Sequence, residues 1–539
     1  MIFQAPRNRP ARRRVLPLLR SAAFASVVAL LAGCGGGGGG GGGGTVVTPA
    51  PPTPPAAGAD QPLVDGTVYS SLPGASLAGA SDAAATTHHQ IAVAGATLRF
   101  TATTGHLVAR DLTTAQPQAS FFYVAYTLDG QDPAQRPVTF FYNGGPGSAT
   151  VWLHLGSYGP QRLVTGIPSI SAATPFPLVV NAETLLDTSD LVFVDAVGSG
   201  YSQAIAPKTN QSFWSVDADA AVFRDFVRRY VEVNSRAASP KFLFGESYGT
   251  TRSAVLARLL ETAGTPLAGV ILQSSILDYA ANCAVTLFPE RSCGGYIPSY
   301  AATGAWYALL NPNPSNLPGF LEQIRVFVRD TYSPAVEIYI ASRALPATSV
   351  LTELVNDTGI VLGLWQAAFN LGPDTFQQRL VPGALIGRYD SRVSAPVGSA
   401  LNREGDPSST FITPSFASTI RGYLTNTLQY TNASTYVLLS NAIDNWEFGH
   451  DGQPLPDTIP DLAAALALNP KLRVLSVNGY HDLATPFYQT ELDLARLGNT
   501  PRVSVKSYSG GHMTYLDDAS RALEKTDLQA FYRIASQAP

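Results

Sequence analysis

The chain has 539 residues, of which 45% are apolar and only 14% charged, and its formal net charge is −4. Such a chain can bury a large core, and it lacks the basic surface that a nucleic-acid partner requires. Its three cysteines and seven histidines form no cluster with zinc-ligand spacing, so no metal site is expected.

The N-terminus reads as a targeting segment, to be set aside before a fold is inferred. Arg7, Arg9, Arg12, Arg13, Arg14 and Arg20 form a positive start. Residues 21–31 are apolar but fall short of the ~20 residues that a spanning helix needs. They run into Leu31-Ala32-Gly33-Cys34, which is similar to a bacterial lipobox, with Cys34 as the acylated residue. A plain cleavable signal with an incidental Cys34 is the alternative. Gly35 after the cysteine argues, by the bacterial sorting pattern, for the outer membrane. An unbroken glycine run at 35–44 and a Pro/Thr/Ala stretch ending near residue 59 would then tether a folded domain away from the lipid surface.

From about Asp60 the pattern is that of one globular unit with an insertion. Residues 97–100 and 121–128 suggest strands that enter a sheet antiparallel. Further on, short apolar runs each end in turn residues: 138–142, 191–194, 242–244, 270–272, 472–477 and 503–508. Near-continuous apolar runs suit a sheet buried on both faces. Helical periodicity covers 217–230 and 250–263, with Gly264 as a stop. Strands alternating with helices predict an α/β fold with a mostly parallel central sheet. Residues 280–466 are instead helical and loop-rich. Cys283 and Cys293 lie there, either as a disulfide, which an exported protein favours, or as two free thiols. The expected organisation is a signal peptide at 1–33, an anchored linker at 34–60, a core at 61–280, an inserted helical cap at 281–466 and the rest of the core at 467–539.

Gly245-Glu246-Ser247-Tyr248-Gly249 is a G-x-S-x-G string between an apolar strand and a helix, the setting of a nucleophile elbow. The upstream loop Asn143-Gly144-Gly145-Pro146-Gly147 also follows a strand. Its glycines let backbone N–H groups come close to a reacting oxygen, so Gly145 and Tyr248 are the candidate oxyanion donors. Asp482 and His512 follow two later strands, in the order Ser, acid, His. A serine nucleophile needs an imidazole to take its proton and a carboxylate to orient that imidazole. His481 is the rival base, but it adjoins Asp482, and adjacent side chains diverge, so His512 is preferred.

These motifs resemble the serine carboxypeptidase family of α/β hydrolases. The resemblance rests on Tyr142-Asn143-Gly144-Gly145-Pro146-Gly147-Ser148, Gly159-Pro160, Val192-Phe193-Val194-Asp195 with Val197-Gly198-Ser199-Gly200-Tyr201-Ser202, the Ser247 elbow and Gly511-His512-Met513. It implies an α/β-hydrolase fold and a serine-type peptidase without cofactor, forming an acyl-enzyme on Ser247. It also implies that Asn143, Gly144 and Glu246 bind the terminal carboxylate of a peptide, with Glu246 protonated. The family's second glutamate, three residues before the proline of Gly-Pro, is Ser157 here, which leaves carboxypeptidase specificity and an acidic optimum open. A related aminopeptidase, esterase or acyltransferase is the enzymatic alternative. A non-catalytic peptide-binding lipoprotein is the other class.

Overall fold

The runs Val138–Tyr142, Asp190–Val194, Lys241–Glu246 and Gly269–Gln273 become strands in which every residue is buried. The computed structural model describes residues 58–285 and 290–537. The proposed signal peptide, Cys34 and nearly all of the linker lie outside those residues.

The strands join Arg473–Gly479, Val503–Tyr508 and an N-terminal antiparallel section in a ten-stranded sheet. Its order runs 503–508, 473–479, 269–273, 241–246, 138–142, 190–194, 117–128, 96–110, 83–93, and the short strand Gln203–Ala204 also pairs with 117–128. The first six in that order are parallel, and the rest are antiparallel. This is an α/β-hydrolase fold.

Because side chains alternate along a strand, the two faces carry separate cores. Phe141, Phe193, Phe244 and Leu475 face one way and pack with Leu528, Phe531 and Tyr532 of the C-terminal helix Asp518–Ser536. Phe140, Tyr142, Leu243, Val270 and Val474 face the other. They meet helices Val216–Val233, Tyr248–Thr262 and Ile459–Leu468.

The described residues of 281–466 add no strand to the central sheet. Helices from Ile297–Trp306 to Pro373–Arg379 enclose a third apolar core of their own, which Leu483 and Phe487 also enter. Farther along, Phe411, Phe416 and Ile420 of helix Pro407–Gly422 join the core of one sheet face. Tyr430–Asn432 pairs with Leu63–Asp65, so the return path of the insertion is tied to the start of the described chain. Cys283 and Cys293 form a disulfide with Cα atoms 5.2 Å apart. No helix among the described residues is long and apolar enough to cross a membrane.

The sheet register aligns the carboxyl ends of the strands. Tyr142 lies beside Gly245, Glu246 beside Gln273, and Gln273 beside Val477. Loops leaving these ends therefore emerge at one rim, where open α/β sheets bind ligands.

Candidate active site

Ser247 sits at the junction of strand Lys241–Glu246 and helix Tyr248–Thr262 with φ +60° and ψ −127°. That left-handed backbone costs a non-glycine residue of order 1–3 kcal/mol and persists only where its surroundings enforce it. They do so here by close packing. A Cβ at Gly245 would meet the Gly249 carbonyl at 2.2 Å, and one at Gly249 would meet the Tyr142 carbonyl at 2.9 Å. The Ser247 N–H donates to the Gln273 carbonyl at 3.0 Å, and its carbonyl accepts from the Thr250 N–H at 2.8 Å and hydroxyl at 2.7 Å. The side chain is left partly exposed above a helix N-terminus.

Asp482 is fully buried in the loop after strand Arg473–Gly479. One carboxylate oxygen accepts the N–H groups of Ala484 (2.7 Å) and Thr485 (3.0 Å). The other meets the Thr485 hydroxyl and His512 Nδ1, each at 2.8 Å. His512 is 1% exposed. Burial alone would lower its pKa, but the Asp482 charge and hydrogen bond outweigh it and hold the imidazole above its ordinary value. With Nδ1–H directed at Asp482, Nε2 is left without a hydrogen-bond partner among the described residues. This is the tautomer that a general base needs.

Gln273 ties these loops together. Its carbonyl takes the Ser247 N–H, and its side-chain amide donates to the His512 carbonyl at 3.3 Å. Ser274 adds a second bond to the same carbonyl at 2.6 Å and accepts from the Thr485 hydroxyl at 2.9 Å. The loops that carry Ser247, Asp482 and His512 are thus all fastened to two consecutive residues at one strand end.

The upstream glycine loop packs directly on the elbow. A Cβ at Gly144 would meet the backbone nitrogens of Tyr248 at 2.4 Å and Gly249 at 2.6 Å. Gly145 has φ +102°. Among the described residues neither the Gly145 nor the Tyr248 N–H has an acceptor within the protein, so both remain available to a developing oxyanion. Arg252, fully buried, ties the loop to the nucleophile helix: it donates to the Asn143 carbonyl at 2.9 Å and pairs with Asp219 at 2.7 Å.

Glu246, 3% exposed, accepts from the Asn143 amide at 2.8 Å and from the Tyr515 hydroxyl at 2.5 Å. Burial pushes its carboxyl up to about 7, against the pull of His512 and of both hydrogen bonds. Among the described residues no hydrogen bond joins Ser157 to it; the Ser157 hydroxyl donates to the Leu153 carbonyl at 2.5 Å. A second buried carboxyl, Glu524 of the C-terminal helix, accepts from Thr514 at 2.5 Å. Burial pushes it up to about 7, and nearby Glu246 adds to the shift.

His481, the rival base, lies against Trp306 of the insertion, with ring centroids 6.1 Å apart. Its Nδ1 is buried without a partner, and burial holds its pKa well below the ordinary value. Asp482 bonds the other histidine. Sequence reasoning missed Gln273, Ser274, Thr485, Tyr515 and Glu524. Only Thr485 carried a local signal, as the third residue after an Asp in a turn.

A cluster of His450, Asp451 and Asp461 has side-chain atoms close enough for a metal ion. Its imidazole nitrogens already bond Asp217 at 2.7 Å and Asp461 at 2.8 Å. The hydrogen bond that His450 donates to Asp461, with help from the one to Asp217, pushes His450 up to about 9. The imidazolium is therefore the cation of this cluster, which joins the loop before helix Ile459–Leu468 to helix Val216–Val233.

Residues 94–277 match the model of the serine carboxypeptidase family. That span holds the glycine loop and the Ser247 elbow, while Asp482 and His512 lie beyond it. Over that span the chain resembles the serine carboxypeptidase family. No curated protein matches the chain. Among solved structures, a prohormone-processing carboxypeptidase of Saccharomyces cerevisiae is 16% identical, covering 80% of this chain and 91% of that one with a TM-score of 0.49. A proline iminopeptidase of Mycobacterium smegmatis is 14% identical, covering 80% and 99% with a TM-score of 0.34. A juvenile hormone epoxide hydrolase of the silkworm Bombyx mori is 11% identical, covering 81% and 79% with a TM-score of 0.34.

Proposed function

We propose that this serine-carboxypeptidase-like chain hydrolyses peptide bonds at a free C-terminus through an acyl-enzyme on Ser247. The observation that carries the reading is the buried Glu246 carboxyl beside Ser247, hydrogen-bonded by Asn143 and Tyr515 and pushed up by burial, next to a His512–Asp482 pair whose Nε2 is free. A protonated Glu246 can donate to a substrate carboxylate, whereas an ionised one would repel it. Asn143 and Gly144 complete that pocket.

In the first step the Ser247 hydroxyl oxygen bonds to the acyl carbon, and its proton passes to His512 Nε2. The N–H groups of Gly145 and Tyr248 hold the oxyanion. The tetrahedral species collapses, the C–N bond breaks, and the leaving amine takes the proton from His512. Water then attacks the ester, His512 takes a proton from it, and Ser247 leaves with that proton. No cofactor takes part in these steps.

Ser247→Ala is expected to abolish labelling by a fluorophosphonate and to lower kcat by at least about 10⁴-fold. Labelling that persists would put the nucleophile elsewhere. Peptides blocked at the N-terminus are expected to be cleaved, and peptides blocked at the C-terminus spared. The reverse result would favour an aminopeptidase.

We also propose that the mature protein is exported and anchored through lipid on Cys34, facing the periplasm or cell surface. The Cys283–Cys293 disulfide supports an oxidising compartment. Mass spectrometry of the mature N-terminus tests it; a Cys34 without acyl groups would sink the anchor.

A further inference from the structure

Asp406, in the insertion, is buried and uses its two carboxylate oxygens differently. One caps helix Pro407–Gly422, accepting the N–H groups of Ser408 at 2.9 Å and Ser409 at 3.4 Å and the Ser408 hydroxyl at 2.6 Å. A helix cap needs only that oxygen. The other reaches a turn 17 residues earlier and accepts the Tyr389 N–H at 3.0 Å. Ser408 completes the clasp, its hydroxyl oxygen accepting the Asp390 N–H at 3.2 Å.

That turn grips both loops that carry the proposed acid and base. The Leu483 N–H donates to the Arg388 carbonyl at 2.9 Å, and the Ser391 N–H donates to the His481 carbonyl at 3.0 Å. The Tyr389 carbonyl accepts the His512 N–H at 2.6 Å, and a Cβ at Gly511 would lie 2.3 Å from the same oxygen. The core holds the other end of that residue, through the bonds of Gln273 and Ser274 to the His512 carbonyl. The main chain of His512 is therefore fixed on one side by the sheet and on the other by the insertion. The Tyr389 ring also meets the imidazole edge to face, with centroids 4.8 Å apart.

A base works only when its ring is held where it reaches the nucleophile, and a nearby carboxylate favours its charged form. We propose that Asp406 is a positioning residue for His512: through Tyr389 it fixes the backbone from which the imidazole projects, and it brings a carboxylate of the insertion into the surroundings of that ring. Burial disfavours the charged imidazole, and three acids favour it: Asp482 from the loop after strand Arg473–Gly479, Glu246 from the strand end before Ser247, and Asp406 from the insertion. The inference rests on His512 acting as base, but not on the exopeptidase reading.

The rate of fluorophosphonate labelling, followed from about pH 5 to about pH 9, tests it, because that rate rises as the base loses its proton. Asp406→Asn keeps a helix cap and removes the charge. Without that charge the imidazolium gives up its proton at lower pH, so the rising limb is expected to move down in pH. The plateau is expected to fall about 10- to 100-fold as the ring loses its placement. Asp406→Ser, which keeps a cap oxygen but is too short to hold Tyr389 as well, should do the same. Ser408→Ala loosens the same turn without a change of charge and should leave the limb in place. The shift is expected again on a Glu246→Gln background, where the other titrating neighbour is gone. Either a limb that stays in place or an undiminished plateau, in a variant that melts like the wild type, would reduce Asp406 to a helix cap and overturn the proposal. A His512→Gln variant that labels at the wild-type rate would remove the base itself, and this proposal with it.

Discussion

Tyr515 donates its hydroxyl to Glu246 at 2.5 Å across 269 residues of sequence. It stands three positions after His512, so the turn that follows the proposed base also reaches the carboxyl next to Ser247. The proposed binding and proton-transfer groups therefore share one piece of chain.

The pH profile should reveal both groups. His512 is raised above its ordinary 6.5, and it must be neutral to act as base, so activity rises as pH climbs through its folded value. Glu246, at about 7, must be protonated to hold a carboxylate, so that binding is lost as pH climbs past it. Free-acid peptides should therefore show a bell-shaped profile, and C-terminally capped esters should show only the rise. Glu246→Gln should remove the falling limb for the free acids. Measuring kcat/KM from about pH 5 to about pH 9 checks this; an identical fall for capped esters would assign that limb to another group.

Thr485 bridges Asp482 and the His512 ring from one hydroxyl, at 2.8 and 3.1 Å. Hydrogen bonds to charged groups are worth about 1.5–3 kcal/mol. Thr485→Val should lower kcat about 10- to 100-fold with KM little changed, and Thr485→Ser should restore it. Steady-state kinetics beside a melting curve separate this from unfolding.

Gly144 has no room for a methyl group, because its Cβ would press on two backbone nitrogens of the elbow. Gly144→Ala should displace the oxyanion donors and lower kcat about 10²- to 10³-fold, with a fall in Tm. Gly363, with nothing within 4 Å of its Cβ, is the control: Gly363→Ala should leave kcat unchanged. A fully active Gly144→Ala would disconnect this loop from the chemistry.

Arg252 and Asp219 are both buried, and removing one strands the other's charge. Arg252→Leu should cost about 3–5 kcal/mol of stability, read from urea unfolding. Replacing Asp219 by Asn in the same chain should recover part of that loss. A single variant as stable as the wild type would mean that Asp219 is satisfied elsewhere.

Much of the site was legible because its signals are local. The Ser247 elbow needs small residues on either side of one turn, and those residues stand next to one another in the chain. Asp482 and His512 could be picked because each follows an apolar run ending in turn residues. The two histidines at 481 and 512 could be ranked only by adjacency; the structure separates them by partner, since one meets Trp306 and the other meets Asp482. Tyr515 gave no signal, because it meets Glu246 across 269 residues of sequence. The cysteines left two options open, and the folded loop brings them into bonding distance.

By itself the sequence determined the parts: alternating strands and helices, a sharp serine turn, a glycine-rich loop, and the order of Ser247, Asp482 and His512 at successive strand ends. Periodicity and turn chemistry act over a few residues, so they can be read without coordinates. Only the tertiary structure decided which carboxyls are stripped of water, which imidazole gains an acidic partner and which aromatic ring overlies it. Those outcomes depend on desolvation and long-range pairing, which arise when distant segments are packed against the same strand ends.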